Sequence, residues 1–372
     1  MLGGFITTYL SWRIAFLLEV VIIIVVLSGI KLVHDVPYTG TRQVDVVGAI
    51  LSVFAMGGIV LGILVWQEGG EYVLAILASG AIALAGLARW LVRRKRQGKP
   101  TLIDPDLFRS KHFELGISEQ MLQQIALGGL MIALPIYLQM VLEYNAMQAG
   151  LSIAPLSLSM FGVAMLAGRR AGKRRSSTII RTGFLLLTVG IGVLIPIVPR
   201  ADSGWYLLVP LVIAGSGLGL LVSQLNNYTL APISDERVSE AAGVNSAAGS
   251  FGLSFGLAFA GAIMLATLAV TFTTLAQDST VLPPAEKEQV AMTLEEDAQV
   301  LSNTQLIPLL EGQPPEIQAE IIRINTEARP FALQVALLVP IIAGLLGLLN
   351  SFRMSRLPDV KPSSAAEGMT IG

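Results

Sequence analysis

The sequence predicts an all-α protein that crosses a membrane several times, and three observations support this fold class. Hydrophobic residues make up 53% of the 372 residues and charged residues only 14%, and the mean hydropathy is +0.69. Apolar runs of about 20 residues, the length that a helix needs to cross a bilayer, recur along the chain. Nineteen of the 25 Lys and Arg residues lie in every second gap between those runs. Lipid is therefore the predicted solvent for most of the chain.

Nine apolar runs are long enough to be spans, and none alternates with the period of two that a barrel strand requires. A helix satisfies its own backbone hydrogen bonds in lipid, so each run is predicted to be a helix. The predicted spans are 14–32, 46–66, 72–92, 115–142, 147–167, 178–198, 205–231, 241–272 and 331–352.

The basic residues also predict how the chain is oriented. The two largest basic clusters, at 93–111 and 169–181, fill alternate gaps, and the positive-inside rule assigns such gaps to the cytoplasm. Nine alternating spans then place the C-terminus in the cytoplasm and the N-terminus outside. Apolar spans flank both basic clusters, so the clusters indicate how the chain crosses the membrane rather than nucleic-acid binding.

A predicted soluble segment, residues 275–328, separates the last two spans and lies outside the cytoplasm in this topology. Its acidic residues outnumber its basic ones, and paired prolines at 283–284 and 314–315 divide it into helical stretches. Three interpretations remain open. The segment caps the outer mouth of the bundle, contacts an envelope partner, or is a solvated insertion without a special role.

Catalytic chemistry finds little support in the sequence. The chain has no Cys and two His, and it has no Gly-rich phosphate loop with its Lys. We therefore predict no catalytic residue, no metal site and no cofactor, and we do not expect an enzyme.

Several short motifs, in order along the chain, resemble those of fourteen-span drug:proton antiporters, a branch of the major facilitator superfamily. They are Leu2-Gly3-Gly4 followed by Ser11-Trp12-Arg13, Asp45-Val46-Val47-Gly48, Leu102-Ile103-Asp104 with Leu107-Phe108-Arg109, Pro135-Ile136-Tyr137-Leu138-Gln139 followed by Gln148-Ala149-Gly150-Leu151, and the Gly-rich run 242–261. The resemblance maps the chain to spans six to fourteen of that family, without the first five.

This resemblance implies a domain organisation and a function. Residues 1–35 would be a remnant of the N-terminal bundle, 36–112 a linking hairpin with a cytoplasmic connector, and 113–372 the C-terminal six-helix bundle. The implied function is proton-coupled efflux of amphipathic small molecules by alternating access, in the plasma membrane. The alternative is a truncated membrane fragment that has no transport activity alone.

Two charged residues near the first span are candidates for proton coupling. Glu19 lies inside the span, where desolvation of a carboxylate favours proton binding, and Arg13 precedes it. The structural alternative pairs Glu19 with Arg13 or places it near the outer interface.

Polar residues within other spans are candidates for the substrate cavity. Glu119 and three glutamines form a stripe that either lines a cytoplasmic vestibule or precedes a helix that starts near Met121. The remaining candidates either contact substrate or form bonds between helices. The cavity candidates are Gln120, Gln123, Gln124, Tyr137, Gln139, Gln224, Asn227 and Asn245.

Two further patterns concern loops and packing. Gly168, Arg169, Lys173 and Arg174 occupy the place of the family's second-half cytoplasmic loop motif, although Gly172 stands where Asp is expected. A topogenic anchor near anionic lipid is the plainer interpretation. Small residues recur along two spans and predict close helix packing that is either static or a gate. These glycines are Gly215, Gly217, Gly219, Gly243, Gly249, Gly252 and Gly256.

Overall fold

The computed structural model describes residues 2–30, 45–67, 70–169, 174–284, 287–296 and 302–358, and every regular element in these ranges is helical. The helices are α1 (Leu2–Tyr9), α2 (Trp12–Ser28), α3 (Val46–Gln67), α4 (Val73–Arg96), α5 (Lys111–Ile136), α6 (Ala146–Gly168), α7 (Ser176–Ile197), α8 (Leu208–Leu230), α9 (Asp235–Asp278), α10 (Lys287–Glu296), α11 (Asn303–Leu309), α12 (Pro315–Ala336) and α13 (Leu338–Met354). A short π-helical turn, Tyr137–Val141, extends α5.

Eight predicted spans are confirmed as helices that are long and apolar enough to cross a membrane. Seven of them are α3 to α9, and the eighth runs from Pro315 to Met354 through α12 and α13. The all-α, multi-pass fold class is therefore confirmed. The first predicted span, 14–32, coincides with α2 over 15 residues, 14–28, and its last two residues lie outside the described ranges.

The main core lies between α5, α7, α8 and α13. Leu130, Phe184 and Leu218 are fully buried there. The hairpin of α3 and α4 packs against α9 through a smaller apolar cluster around Ile63 and Ala258. Helix α2 has no buried residue among those described.

Two helices differ from their predicted bounds. The predicted span 241–272 belongs to α9, whose 44 residues extend about 66 Å, well beyond a bilayer. The predicted span 331–352 is interrupted at Leu337. Pro340 explains this break, because it supplies no amide hydrogen and its ring crowds the carbonyl of Ala336.

The segment after α9 folds into a small apolar core of its own. Phe272 of α9, Leu294 of α10, Leu306 of α11 and Ile324 of α12 are buried together. We call Phe272 to Arg329, in its described parts, the acidic cap. Apolar residues from four helices therefore share one core, and the choice among the three interpretations of this segment stays a prediction.

The acidic cap is tied to the bundle by polar contacts. Glu143, in the loop between α5 and α6, accepts hydrogen bonds from the backbone nitrogen of Thr304 at 2.8 Å and from its hydroxyl. The hydrogen bond from the Thr304 hydroxyl contributes most to lowering the pKa of Glu143. Within the cap, Ser279 donates to Glu320 at 2.5 Å.

Candidate functional site

One face of α5 carries polar side chains into the helix bundle. Gly116, Glu119 and Gln123 recur at spacings of three and four residues, which places them on one side of the helix, and all three are buried. Gly116 lies directly against Thr229 of α8, because an added Cβ would overlap the threonine side chain. Since α5 and α8 cross the membrane in opposite directions, Glu119 and Gln123 lie at the depth of residues 222–226.

Glu119 is the most unusual residue on this face. It is 0% exposed, and neither carboxylate oxygen has a hydrogen-bond partner among the described residues. It lies about 12 Å along α5 from Lys111. A charged carboxylate without a partner is costly away from water, and intramembrane carboxylates commonly mark proton or ion pathways. Glu119 is thus a candidate group for taking up and releasing a proton.

Amide side chains from neighbouring helices extend this polar region. Gln224 of α8 accepts a hydrogen bond from Ser176 of α7 at 3.2 Å, and its Nε2 atom has no partner within the described ranges. Asn245 of α9 is buried and donates to Asn226 of α8 at 2.7 Å, while Asn227 is half-buried. Buried polar side chains thus occur on four helices of the bundle, namely Glu119 and Gln123 on α5, Ser176 on α7, Gln224 on α8 and Asn245 on α9.

Gln120 and Gln124 occupy the adjoining face of α5, toward α9. A Cβ added to Gly249 of α9 would lie 3.2 Å from Nε2 of Gln120 and 3.7 Å from Cγ of Gln124. The Oε1 atom of Gln124 is buried and has no hydrogen-bond partner in the described part of the chain. The predicted polar stripe therefore divides between two interfaces, α5 with α8 and α5 with α9.

Glycines let α9 approach α5 closely beyond these glutamines. A Cβ on Gly128 would lie 2.5 Å from the carbonyl oxygen of Leu253, and one on Gly252 would lie 2.6 Å from that of Met121. Gly256 meets the backbone of α5 more closely still. The predicted close packing is confirmed for Gly252 and Gly256 and is wrong for Gly243, where an added Cβ would have no neighbour within 4 Å because this glycine lies on an exposed side of α9. A gating role for these glycines stays a prediction.

Helix α8 makes similar contacts on both of its sides. A Cβ on Gly217 would lie 2.5 Å from the carbonyl oxygen of Gly183 in α7. One on Gly219 would lie 2.5 Å from the carbonyl oxygen of Met160 in α6, and Gly215 also meets the backbone of α6. Both α6 and α7 therefore pack tightly on α8.

Comparison with known proteins identifies the family to which this bundle belongs. The sequence profile of the Major Facilitator Superfamily matches residues 1–257, more than half of the chain. The chain belongs to the major facilitator superfamily. The probable actinorhodin transporter of Streptomyces coelicolor is 24% identical over 264 residues, which are 69% of this chain and 46% of that protein.

Relatives in enteric bacteria match a similar part of this facilitator-superfamily chain. The putative multidrug resistance protein MdtD of Escherichia fergusonii is 27% identical over 270 residues, which are 71% of this chain and 55% of that protein. MdtD of Cronobacter sakazakii is 26% identical over 273 residues, with the same coverage. The chain spans about half the length of the curated relatives that it matches.

The basic loop motif of this facilitator-superfamily chain lies between α6 and α7. Gly168 and Arg169 are exposed at the end of α6, and Arg174 is exposed just before α7. Lys173, together with Gly172 where the resemblance expects Asp, lies outside the described residues. A role for the motif as a topogenic anchor near anionic lipid stays a prediction.

Tyr137 holds the far end of α5 in place. Its buried hydroxyl lies 2.9 Å from the carbonyl oxygen of Val198 and 3.0 Å from that of Ala201, in the turn after α7. Gln139 donates to the carbonyl oxygen of Pro135, one turn earlier in its own helix, at 3.3 Å. Both cavity candidates therefore make contacts at helix ends, and a role for either in substrate binding stays a prediction.

Glu19 and Arg13 are both exposed on α2. No ion pair joins them in the described structure, so the pairing considered from the sequence is wrong. The reason is their six-residue separation, which places them about 9 Å apart along the helix and on different sides. The Arg13 guanidinium instead lies 5.6 Å from the ring of Trp12. A coupling role for Glu19 stays a prediction.

Sequence reasoning missed a buried carboxylate at the end of the bundle where the basic residues gather. Asp45 precedes α3 and accepts hydrogen bonds from the backbone nitrogens of Gly48 at 3.0 Å and Leu102 at 3.2 Å, and from Nε1 of Trp90 at 3.0 Å. The Nε atom of Arg94 lies 3.7 Å away. Burial raises the pKa of Asp45, but these contacts outweigh burial and hold the pKa below its ordinary value.

Asp104 extends these contacts from the connector to α9. Its carboxylate lies 2.6 Å from Nζ of Lys95 and 3.0 Å from the guanidinium of Arg237, and its backbone nitrogen donates to Glu240 at 2.6 Å. Burial raises the pKa of Asp104, and the hydrogen bonds and positive charges around it more than offset that effect. Although acidic residues gather here, no group of three or more His, Asp or Glu among the described residues is placed to hold a metal ion.

Proposed function

We propose that this chain acts as part of a secondary transporter that exports amphipathic small molecules in exchange for protons, by alternating access. Membership of the major facilitator superfamily, a family of transporters, supports the general class. Efflux is supported by relatives named as a probable actinorhodin transporter and putative multidrug resistance proteins. Glu119, buried and without a hydrogen-bond partner among the described residues, is the observation that carries proton coupling.

The position of Glu119 connects its charge to helix packing. It faces the interface of α5 with α8 and lies next to the glutamines that face α9. The neutral acid is compatible with burial between tightly packed helices, whereas the carboxylate favours water. Proton release would therefore favour a state in which α5 is more open to water, which links proton binding to a conformational equilibrium.

The substrate would contact the amides around this carboxylate. Gln120, Gln124 and Gln224 supply a few polar groups within an otherwise apolar bundle, a combination that suits amphipathic molecules. In transporters of this design the substrate site lies between two related halves. The alternative, that the chain alone is a membrane fragment without transport activity, predicts normal insertion and no flux.

We place the protein in the plasma membrane with its C-terminus in the cytoplasm. The last turn of α4 contains four basic residues, 93–96, and Arg174 and Arg353 lie near other helix ends. The positive-inside rule then places the acidic cap outside, where contact with an envelope partner is a further proposal.

Reconstitution tests the transport proposal. The 372-residue chain would be inserted into liposomes that contain ethidium, an amphipathic fluorescent cation, and a pH gradient would then be imposed. We expect gradient-dependent ethidium movement with a proton flux in the opposite direction, recorded with a pH-sensitive dye. Helical, membrane-inserted protein that produces neither flux would support the fragment alternative.

A matched pair of variants on α5 tests the role of Glu119. Glu119→Gln keeps the shape of the side chain but cannot exchange a proton, so we expect it to abolish gradient-driven ethidium movement. Glu114→Gln is the control, because Glu114 is exposed in the first turn of α5 and pairs with Lys111 at 2.6 Å. Undiminished gradient-driven movement in Glu119→Gln would remove Glu119 from the mechanism.

A further inference from the structure

A groove opens on the bundle surface between α6 and α7. Both helices pack on α8, α6 at Gly219 and α7 at Gly217, and the space between them remains open. Leu220 of α8 forms the floor of the groove, and Val163 and Ala167 of α6 line one wall. The groove has a volume of about 420 Å³, within the range of ordinary ligand pockets.

The walls of the groove suit a hydrocarbon chain. Thr178 and Thr182 of α7 line the second wall one turn apart, and the Thr182 hydroxyl donates to the carbonyl oxygen of Thr178 at 2.9 Å. That hydroxyl proton is therefore satisfied within the helix. Both α6 and α7 are membrane spans, so the groove lies at the level of lipid. An empty gap there would lose dispersion contacts along its lining, which an acyl chain would restore.

Arg174 gives one end of the groove a positive charge. Its side chain lines the groove, is exposed, and forms no ion pair with any described residue. Arg169 and Arg175 are exposed at the same end of these helices. A guanidinium matches phosphate oxygens through parallel hydrogen bonds, and basic pockets between spans bind anionic lipid headgroups.

We propose that this groove binds one anionic phospholipid, whose phosphate contacts Arg174 and whose acyl chain fills the space between α6 and α7. Two features at opposite ends of one groove support this occupant, an unpaired cation among the described residues and an apolar channel. The site is independent of the proposed transport reaction, so either proposal can fail without the other.

Native mass spectrometry tests the lipid site directly. The 372-residue chain would be extracted in mild detergent from membranes that contain equal amounts of phosphatidylglycerol and phosphatidylcholine. We expect one retained phosphatidylglycerol and about tenfold less phosphatidylcholine. Both lipids carry a phosphate, but the choline cation cancels the net charge of phosphatidylcholine, and a charge-assisted contact corresponds to roughly that factor in affinity. Arg174→Gln should lower the phosphatidylglycerol adduct about tenfold. Arg93→Gln, which removes an exposed charge from the last turn of α4, should leave it unchanged.

A second variant tests the acyl-chain part of the groove without changing charge. Ala167→Phe places a large side chain in the channel and should remove both lipids, while circular dichroism confirms that the helices remain. Equal retention of both lipids, or equal loss in Arg174→Gln and Arg93→Gln, would overturn the proposal. So would displacement of the lipid by inorganic phosphate alone, or a dimer that Ala167→Phe dissociates, because each assigns the groove to another occupant.

Discussion

Replacing Asp45 by Asn should release the connector between α4 and α5 from the α3–α4 hairpin. The Asp45 carboxylate is buried and joins three segments, through the backbone of Gly48, the indole of Trp90 and the backbone of Leu102. The two oxygens of a carboxylate accept all three donors, together with the charge of Arg94. Asparagine has one oxygen, and its amide group would face at least one donor.

The expected size of this effect follows from the contacts that are lost. Asp45→Asn removes about two hydrogen bonds to a charged acceptor, each worth about 1.5–3 kcal/mol, so the connector should be destabilised by about 3–6 kcal/mol. The Leu102 amide, which donates to Asp45 at 3.2 Å, reports this change directly. A loss of about 3 kcal/mol in local stability corresponds to roughly a hundredfold faster hydrogen exchange at that amide.

Hydrogen–deuterium exchange of the reconstituted chain, resolved to the peptide that contains Leu102, measures this prediction. The control is Asp106→Asn, because Asp106 is partly exposed, forms ion pairs with Lys95 at 3.2 Å and Arg109 at 3.3 Å, and should contribute less than about 1 kcal/mol. Unchanged exchange at Leu102 in Asp45→Asn, or an equal change in both variants, would refute the reasoning.

Three further predictions follow from the same structure. The folded-state pKa of Asp45 is lowered, so its contribution to the stability of the connector is complete above its unfolded pKa of 3.8 and is lost as pH falls through its folded pKa. Hydrogen exchange of the connector should therefore accelerate only below about pH 4. Acceleration between pH 5 and 7 would contradict this. Gly256→Leu should lower the free energy of unfolding by about 1–3 kcal/mol in thermal unfolding, because the larger side chain overpacks α9 against α5. Gly243→Ala, at a position with no neighbour within 4 Å, should not lower it. Equal melting temperatures of the two variants would be inconsistent with close packing of α9 on α5. Because the chain has no Cys, an impermeant maleimide should label Thr280→Cys but not Gln97→Cys in intact cells, and the reverse pattern would invert the proposed topology.

The spans could be predicted because the bilayer imposes a simple length requirement on apolar runs. Helices α3 to α8 begin and end close to the predicted bounds, since charged or turn-forming residues end each run. The length of α9 was underestimated because polar residues continue the helix beyond the apolar run on both sides. Apolar length alone does not define where such a helix ends.

The site was less predictable because it depends on contacts between distant residues. The polar stripe around Glu119 is visible in the sequence, but its division between α8 and α9 depends on how three helices pack. Hydrogen bonds from Ser176 to Gln224 and from Leu102 to Asp45 join residues 48 and 57 positions apart. A carboxylate inside a predicted span directed attention to Glu19, whereas burial and missing partners among the described residues favour Glu119.

Proton release on substrate binding is the most direct measurement of whether Glu119 couples the two ligands. Ethidium would be added to the purified 372-residue chain in weakly buffered detergent, and the change in bulk pH would be recorded together with ethidium binding. We predict that wild type and Glu19→Gln release protons, whereas Glu119→Gln binds ethidium without release. Full proton release from Glu119→Gln, or its loss only in Glu19→Gln, would contradict the assignment of Glu119.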